Sequence, residues 1–162
     1  MTTIAVTGHM NLTEETVPLV RAALRESLAG WDANDLVGVS CIAAGGDSLF
    51  AEAVLEAGGR LVVVLPSRDY RERKVKPADA PLFDRLLAQA HERVTMPFET
   101  ADRQAYEAAN KELLRRADRL VAVWDGAPPG GKGGGTADVV AEARAAGLPV
   151  DVVWPEGAAR RN

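Results

Sequence analysis

Short runs of Val, Ile and Leu alternate along almost the whole chain with stretches whose apolar residues fall three and four apart. The runs lie at 3–7, 36–43, 61–65, 93–96, 120–124 and 150–154. Several are continuous rather than alternating, as expected of strands covered by helices on both faces. Thr13 opens a first helix, with Glu15 in its acidic first turn and Val17, Leu19, Val20, Ala23, Leu24 and Leu28 at helical spacing. Asp47 is placed to cap a second, which runs through Phe50, Ala51, Val54 and Leu55 and stops at Gly58 and Gly59. A third at 80–91 carries Leu82, Phe83, Leu86, Leu87 and Ala90. A fourth at 102–117 carries Tyr106, Ala109, Leu113 and Leu114, and a fifth at 137–146 ends before Gly147. This order predicts an α/β fold: a single three-layer Rossmann-like domain with a mostly parallel sheet of about six strands and helices on both faces.

Two stretches fall outside the pattern. Residues 67–79 are charged and poorly periodic, and longer than an ordinary connection, which suggests a mobile lid. Residues 156–162 offer nothing to bury, so the domain is expected to span 1–155 and the tail to fray.

Composition narrows the functional classes. The chain has 162 residues, 47% of them hydrophobic, enough for one full core. A net charge of −4 and a pI near 5.2 argue against nucleic acid as the main partner, although Arg68, Arg71, Arg73, Lys74 and Lys76 form a local basic patch. Cys41 is the single cysteine, so no intrachain disulfide can form; within its apolar strand it reads as a small buried hydrophobe. With no basic-then-apolar start and no membrane-length apolar run, the expectation is a cytoplasmic protein without a membrane partner. Two histidines, one cysteine and no HxxxH or CxxC spacing give no metal signal.

In an open parallel sheet, ligands bind beyond the carboxyl ends of the strands. The candidate ligand-binding residues at those ends are Gly8 and His9, then Gly45, Gly46 and Asp47, then Ser67, then Asp125 and Gly126. To these the glycine-rich loop at 130–136 adds Gly133, Gly134, Gly135 and Thr136. Such a loop lets backbone N–H groups approach a phosphate, and the helix that follows adds a favourable dipole. Residues 126–132 match the first seven positions of a Walker A sequence, but Gly133 stands where Ser or Thr would ligate Mg²⁺. The implied partner is a nucleotide or another phosphate-bearing small molecule, with no cofactor beyond it.

Each polar candidate also has a structural reading. Asp125 could hold a ribose or base, or could start the turn through Gly126 and Pro128. Trp124 could stack on a base or belong, with Trp154, to the core. His9 could be a base or a hydrogen-bonded structural residue. Asp47 can cap its helix and touch ligand at once.

The segment 40–66, with Gly45-Gly46-Asp47 entering a helix before the strand that ends at Pro66, resembles the DNA-processing protein A (Smf) type. The segment 110–125, followed by Gly134-Gly135-Thr136, resembles the second half shared by the Lonely Guy phosphoribohydrolases and nucleoside deoxyribosyltransferase-like proteins. Together they resemble the Rossmann-like superfamily that also contains SLOG-type nucleotide-sensing domains. The resemblance implies a nucleotide lying across Gly8, Gly45, Gly46 and residues 133–136, a sensing or binding role, and pairing into a homodimer. Members that cleave an N-glycosidic bond resemble Gly-Thr-x-x-Glu at this loop, whereas Val139 stands at the Glu position here. Asp138 is one residue earlier, about 100° round the helix, and Glu142 is a turn further on; both remain weak catalytic candidates. An N-glycosidic hydrolase or transferase is therefore the alternative to a binding domain, and a DNA-associated or protein-interaction module is a further one.

Overall fold

A computed structural model describes residues 1–131 and 135–162. Twelve elements follow one another as β1 (Thr2–Gly8), α1 (Thr16–Leu28), β2 (Leu36–Ser40), α2 (Gly46–Glu56), β3 (Arg60–Leu65), α3 (Tyr70–Lys74), α4 (Ala80–Gln89), β4 (Glu92–Thr95), α5 (Arg103–Arg116), β5 (Arg119–Val123), α6 (Thr136–Ala145) and β6 (Val150–Val152). The six strands form one sheet in the order β4-β3-β2-β1-β5-β6, and every pairing between them is parallel. The single Rossmann-like domain expected from the hydrophobic pattern is the observed one.

The pleat sorts the core into two layers, because successive residues of a strand point to opposite faces. Ile4, Val6, Leu36, Val121 and Val123 pack with Val20, Leu24 and Leu28 of α1 and Phe50 and Val54 of α2. Ala5, Val37, Val39, Val62, Leu120 and Ala122 pack on the other face with Ala109 and Leu113 of α5 and Val139, Val140 and Ala143 of α6. Helix α1 shows why the pattern was readable: Thr16, Val20, Leu24 and Leu28 are its buried residues, one every four positions.

From β1 the chain steps outward through β2 and β3 to β4, then returns to place β5 on the other side of β1. The loops leaving β1 and β5 therefore feed helices on opposite faces, and a crevice opens between them at the carboxyl edge of the sheet.

Three local expectations are corrected. Thr13 does not begin the helix: its carbonyl and hydroxyl accept from the Thr16 N–H at 3.0 and 3.3 Å, forming a turn that leads into α1. The charged stretch 67–79 contains a short helix, α3, anchored by the buried Tyr70. The tail, expected to fray, is paired with residues 11–16. Arg160 bridges antiparallel to Leu12, the Ala159 carbonyl accepts from the Thr13 N–H at 3.1 Å and the Arg161 N–H donates to the Asn11 carbonyl at 2.6 Å. Thr16 fixes the same segment, its hydroxyl accepting from the Ala159 N–H at 2.8 Å. Backbone pairing, which needs no apolar side chains, holds residues that have nothing to bury. No helix among the described residues is long and apolar enough to cross a membrane.

Candidate functional site

The start of α2 sits against the ends of β1 and β5, and glycines make that possible. Gly45 has φ +84°, and a Cβ there would lie 2.3 Å from the His9 carbonyl oxygen. A Cβ on Gly8 would meet the Gly46 Cα at 2.9 Å, so β1 and α2 touch through bare backbone. The Gly46 N–H donates to the His9 carbonyl at 3.1 Å and seals the contact. Gly45 and Gly46 thus bring α2 to the edge of the sheet, and neither lines the open space beyond it.

That space is a cleft of about 820 Å³ across the carboxyl ends of β1, β2, β3 and β5. Of the residues singled out in the sequence, Gly8, His9, Asp47, Gly135, Thr136 and Asp138 line it. Ser67, Asp125 and Gly126 do not. Ser67 is buried and donates to the Asp69 carboxylate at 2.7 Å, and Asp69 in turn accepts from the Ala101 N–H at 2.9 Å. This pins the β3–α3 turn behind the cleft. Gly126 lies in the turn after β5 with φ +84°. Gly133 and Gly134 lie outside the described residues.

The start of α6 forms one wall, through Gly135, Thr136, Ala137 and Asp138. Helix α6 runs ten residues, and the N–H groups of its first turn have no partners within the helix. Asp138 accepts from the Gly135 N–H at 3.1 Å, so its carboxylate serves the helix start. Glu142 lines an adjoining groove between α5 and α6, with Arg103, Glu107 and Lys111, and Asp138 borders both.

The opposite wall holds Asp47. The expected cap role is corrected here: Gly45 is the N-cap of α2, no side chain caps the helix, and Asp47 lies within the first turn. Its backbone is fixed by Ser40, whose hydroxyl donates to the Asp47 carbonyl at 3.0 Å and accepts from the Ile42 N–H at 3.0 Å. Ile42 is the one described non-glycine residue at positive φ, 47°, a strained conformation for a β-branched side chain. Asp47 is only 9% exposed, and its Oδ1 has no hydrogen-bond partner. Burial pushes the carboxyl up to about 7, with the Ala43 amide pulling weakly the other way. Beside it, burial also pushes up the Cys41 thiol and the Tyr70 phenol.

His9 and Asp125 close the crevice between β1 and β5. His9 Nε2 lies 3.1 Å from Asp125 Oδ1 and accepts from the Asp125 N–H at 3.1 Å, while its ring meets Trp154 edge-on at 5.7 Å. Arg160, from the pinned tail, contacts Asp125 at 3.5 Å and Asn11 at 3.0 Å and itself lines the cleft. Trp124 donates to the Ala127 carbonyl at 3.1 Å, and Arg144 lies over its ring at 5.8 Å. Polar wall residues that the sequence reading did not put forward as ligand contacts include Lys74, Tyr70, Tyr106, Asn110 and Arg160. Only Lys74 carried a signal, as part of the basic patch, and two other members of that patch are paired, Arg71 with Asp84 and Arg68 with Glu99. Among the described residues, no group of three or more His, Cys, Asp and Glu side chains is placed to hold a metal ion.

No protein-family model matches the sequence, and no curated protein matches it. The architecture has solved counterparts. The chain has the fold of DNA processing protein A. Against that protein from Streptococcus pneumoniae the TM-score is 0.69 at 19% identity, covering 94% of this chain and 50% of that one, so this chain spans about half its length. The Moco carrier protein of Chlamydomonas reinhardtii gives 0.58 at 21% identity, covering 96% of this chain and 78% of that one. The structure of TM1055 gives 0.59 at 22% identity, covering 93% and 72%. The chain thus shares its fold with DNA processing protein A, the type that segment 40–66 resembles.

Proposed function

We propose that the cleft binds a nucleotide or nucleotide derivative, and that the protein acts as a binding or sensing domain. The observation that carries this reading is the make-up of the cleft at the switch point. There the first turn of α6 opens into the same cleft as the Thr136 side chain and the cations Lys74 and Arg160. N–H groups without partners inside the helix, and positive charge lining the same cleft, suit a phosphate. Proteins of similar fold include a cofactor carrier, which suits a small-molecule cleft. The hydrolase alternative gains nothing from Asp138, which is engaged at the helix start, or from Glu142, which faces another groove.

A thermal-shift and calorimetry screen of the nucleoside mono-, di- and triphosphates tests the reading. Micromolar binding of at least one nucleotide, lost when Thr136→Glu places a carboxylate at the first turn of α6, is the expected result. Absence of binding by every nucleotide in the screen would reject it.

A further inference from the structure

The cleft has a second polar wall that the phosphate reading leaves unused. Asp47 lines it, is nine-tenths buried, and keeps Oδ1 without a hydrogen-bond partner. A native fold rarely retains an unsatisfied buried carboxyl oxygen without a use for it. Ser40 and the contact between Gly8 and Gly46 hold this part of α2 in place, so the side chain is presented from a rigid support. Tyr70 and Tyr106, whose rings meet edge to face at 6.3 Å, flank the same end of the cleft.

We propose that Asp47 is the specificity-determining contact of the bound nucleotide, its carboxyl accepting a hydrogen bond from an N–H or O–H donor on the part of the ligand remote from the phosphate. The inference rests on the nucleotide reading of the cleft. Helices α2 and α6 pack on opposite faces of the sheet, so Asp47 and the start of α6 approach the cleft from opposite sides. A carboxylate repels a phosphate and attracts donors, and this divides the ligand into an anionic end at α6 and a donor-bearing end at Asp47. The tyrosine rings give that second end flat, largely apolar walls, suited to a base or a sugar. The donor is an amino or imino N–H of the base, or a ribose hydroxyl.

The test is calorimetric titration of the wild type and Asp47→Asn with AMP, GMP, CMP, UMP, ribose 5-phosphate and inorganic phosphate at pH 8. For the tightest monophosphate, the variant should lose roughly ten- to a hundredfold in affinity, as expected for a hydrogen bond to a charged group, with inorganic phosphate unaffected. An equal loss for ribose 5-phosphate assigns the donor to the sugar. No loss there, with a changed ranking among the four bases, assigns it to the base. Affinities within twofold of wild type for every probe that the wild type binds would overturn the proposal while leaving the nucleotide reading intact. Failure of the wild type to bind any of these probes, or any nucleoside di- or triphosphate in the screen, would overturn that reading, and the proposal with it. Carboxyl-selective carbon NMR of the wild type gives a readout that needs no variant. The Asp47 resonance should move on adding the tightest monophosphate and stay in place with inorganic phosphate; an unmoved resonance in both overturns the proposal.

Discussion

His9 Nε2 stands 3.1 Å from the Asp125 backbone nitrogen and 3.1 Å from the Asp125 carboxylate oxygen Oδ1. One ring nitrogen cannot serve both at once. With the ring neutral and its proton on Nδ1, Nε2 accepts the Asp125 N–H; with Nε2 protonated, it donates to Oδ1. Burial, with repulsion from Arg160 adding to it, holds His9 below the usual histidine range against the opposing pull of Asp125, so the first arrangement prevails at neutral pH. The residue read from sequence as either a base or a structural group is a latch between the ends of β1 and β5.

Acidification should therefore release that latch. The folded state resists protonation of His9 while the unfolded chain takes up the proton near pH 6.5, so the contribution of His9 falls as pH drops from about 7 through 6. In His9→Gln this contribution is gone. Urea melts at pH 7 and pH 5 should show the wild type losing more stability than the variant over that interval.

Asp47 should act in the opposite sense. Its folded value of about 7 lies above the ordinary 3.8. The stability it contributes is complete below about pH 4 and is lost as pH rises through 7, because the unfolded chain gives up the proton first. Asp47→Asn removes the titration. Its melting temperature should exceed that of the wild type at pH 8 by an amount worth a few kcal/mol at most, and the difference should vanish or reverse at pH 4.

Gly45→Ala should be among the most destabilising single substitutions in the chain. The residue combines φ +84° with a Cβ position 2.3 Å from the His9 carbonyl oxygen, so strain and overlap act together. A loss of about 3 kcal/mol or more in denaturant melts is expected. Gly126→Ala, where φ is also +84° but nothing lies within 4 Å of the Cβ position, should cost about 1 kcal/mol.

Deleting residues 156–162 should loosen the rim of the cleft. It removes the pairing of Arg160 with Leu12 and the hydrogen bonds to Asn11, Thr13 and Thr16. A loss of about 1–3 kcal/mol is expected, and hydrogen exchange should accelerate at the Thr13 amide, which bonds to the Ala159 carbonyl.

Asp138→Asn and Glu142→Gln separate helix support from chemistry. Asp138 holds the Gly135 N–H, so its variant should weaken the start of α6 by about 0.5–1 kcal/mol. Glu142→Gln should leave both melting temperature and nucleotide affinity within error.

The sheet was legible because its signals are local. A strand such as Arg119–Val123, buried by helices on both faces, appears as an uninterrupted apolar run, and α1 shows its four-residue stripe directly. What escaped depends on distant parts of the chain meeting. Asp47 looked like a cap because an acid after two glycines ordinarily is one; its burial arises only when α2 closes onto the ends of β1 and β5. Helix α3 has five residues and a single buried one, too few for a period. Tyr106 fitted the core stripe of α5, and only its height above the sheet brings it to the cleft. Arg160 meets Asn11 across 149 positions, a contact no window of sequence can register.

That last contact also sets an order of events. The first strand is central, yet one of its flanks is completed only by β5, and the rim beside His9 only by residues 159–161. A chain emerging residue by residue can assemble β1 to β4 and their helices well before the crevice has its second side. The cleft thus takes its full shape only when residues 159–161 reach Asn11 and Thr13, so its rim forms late in folding.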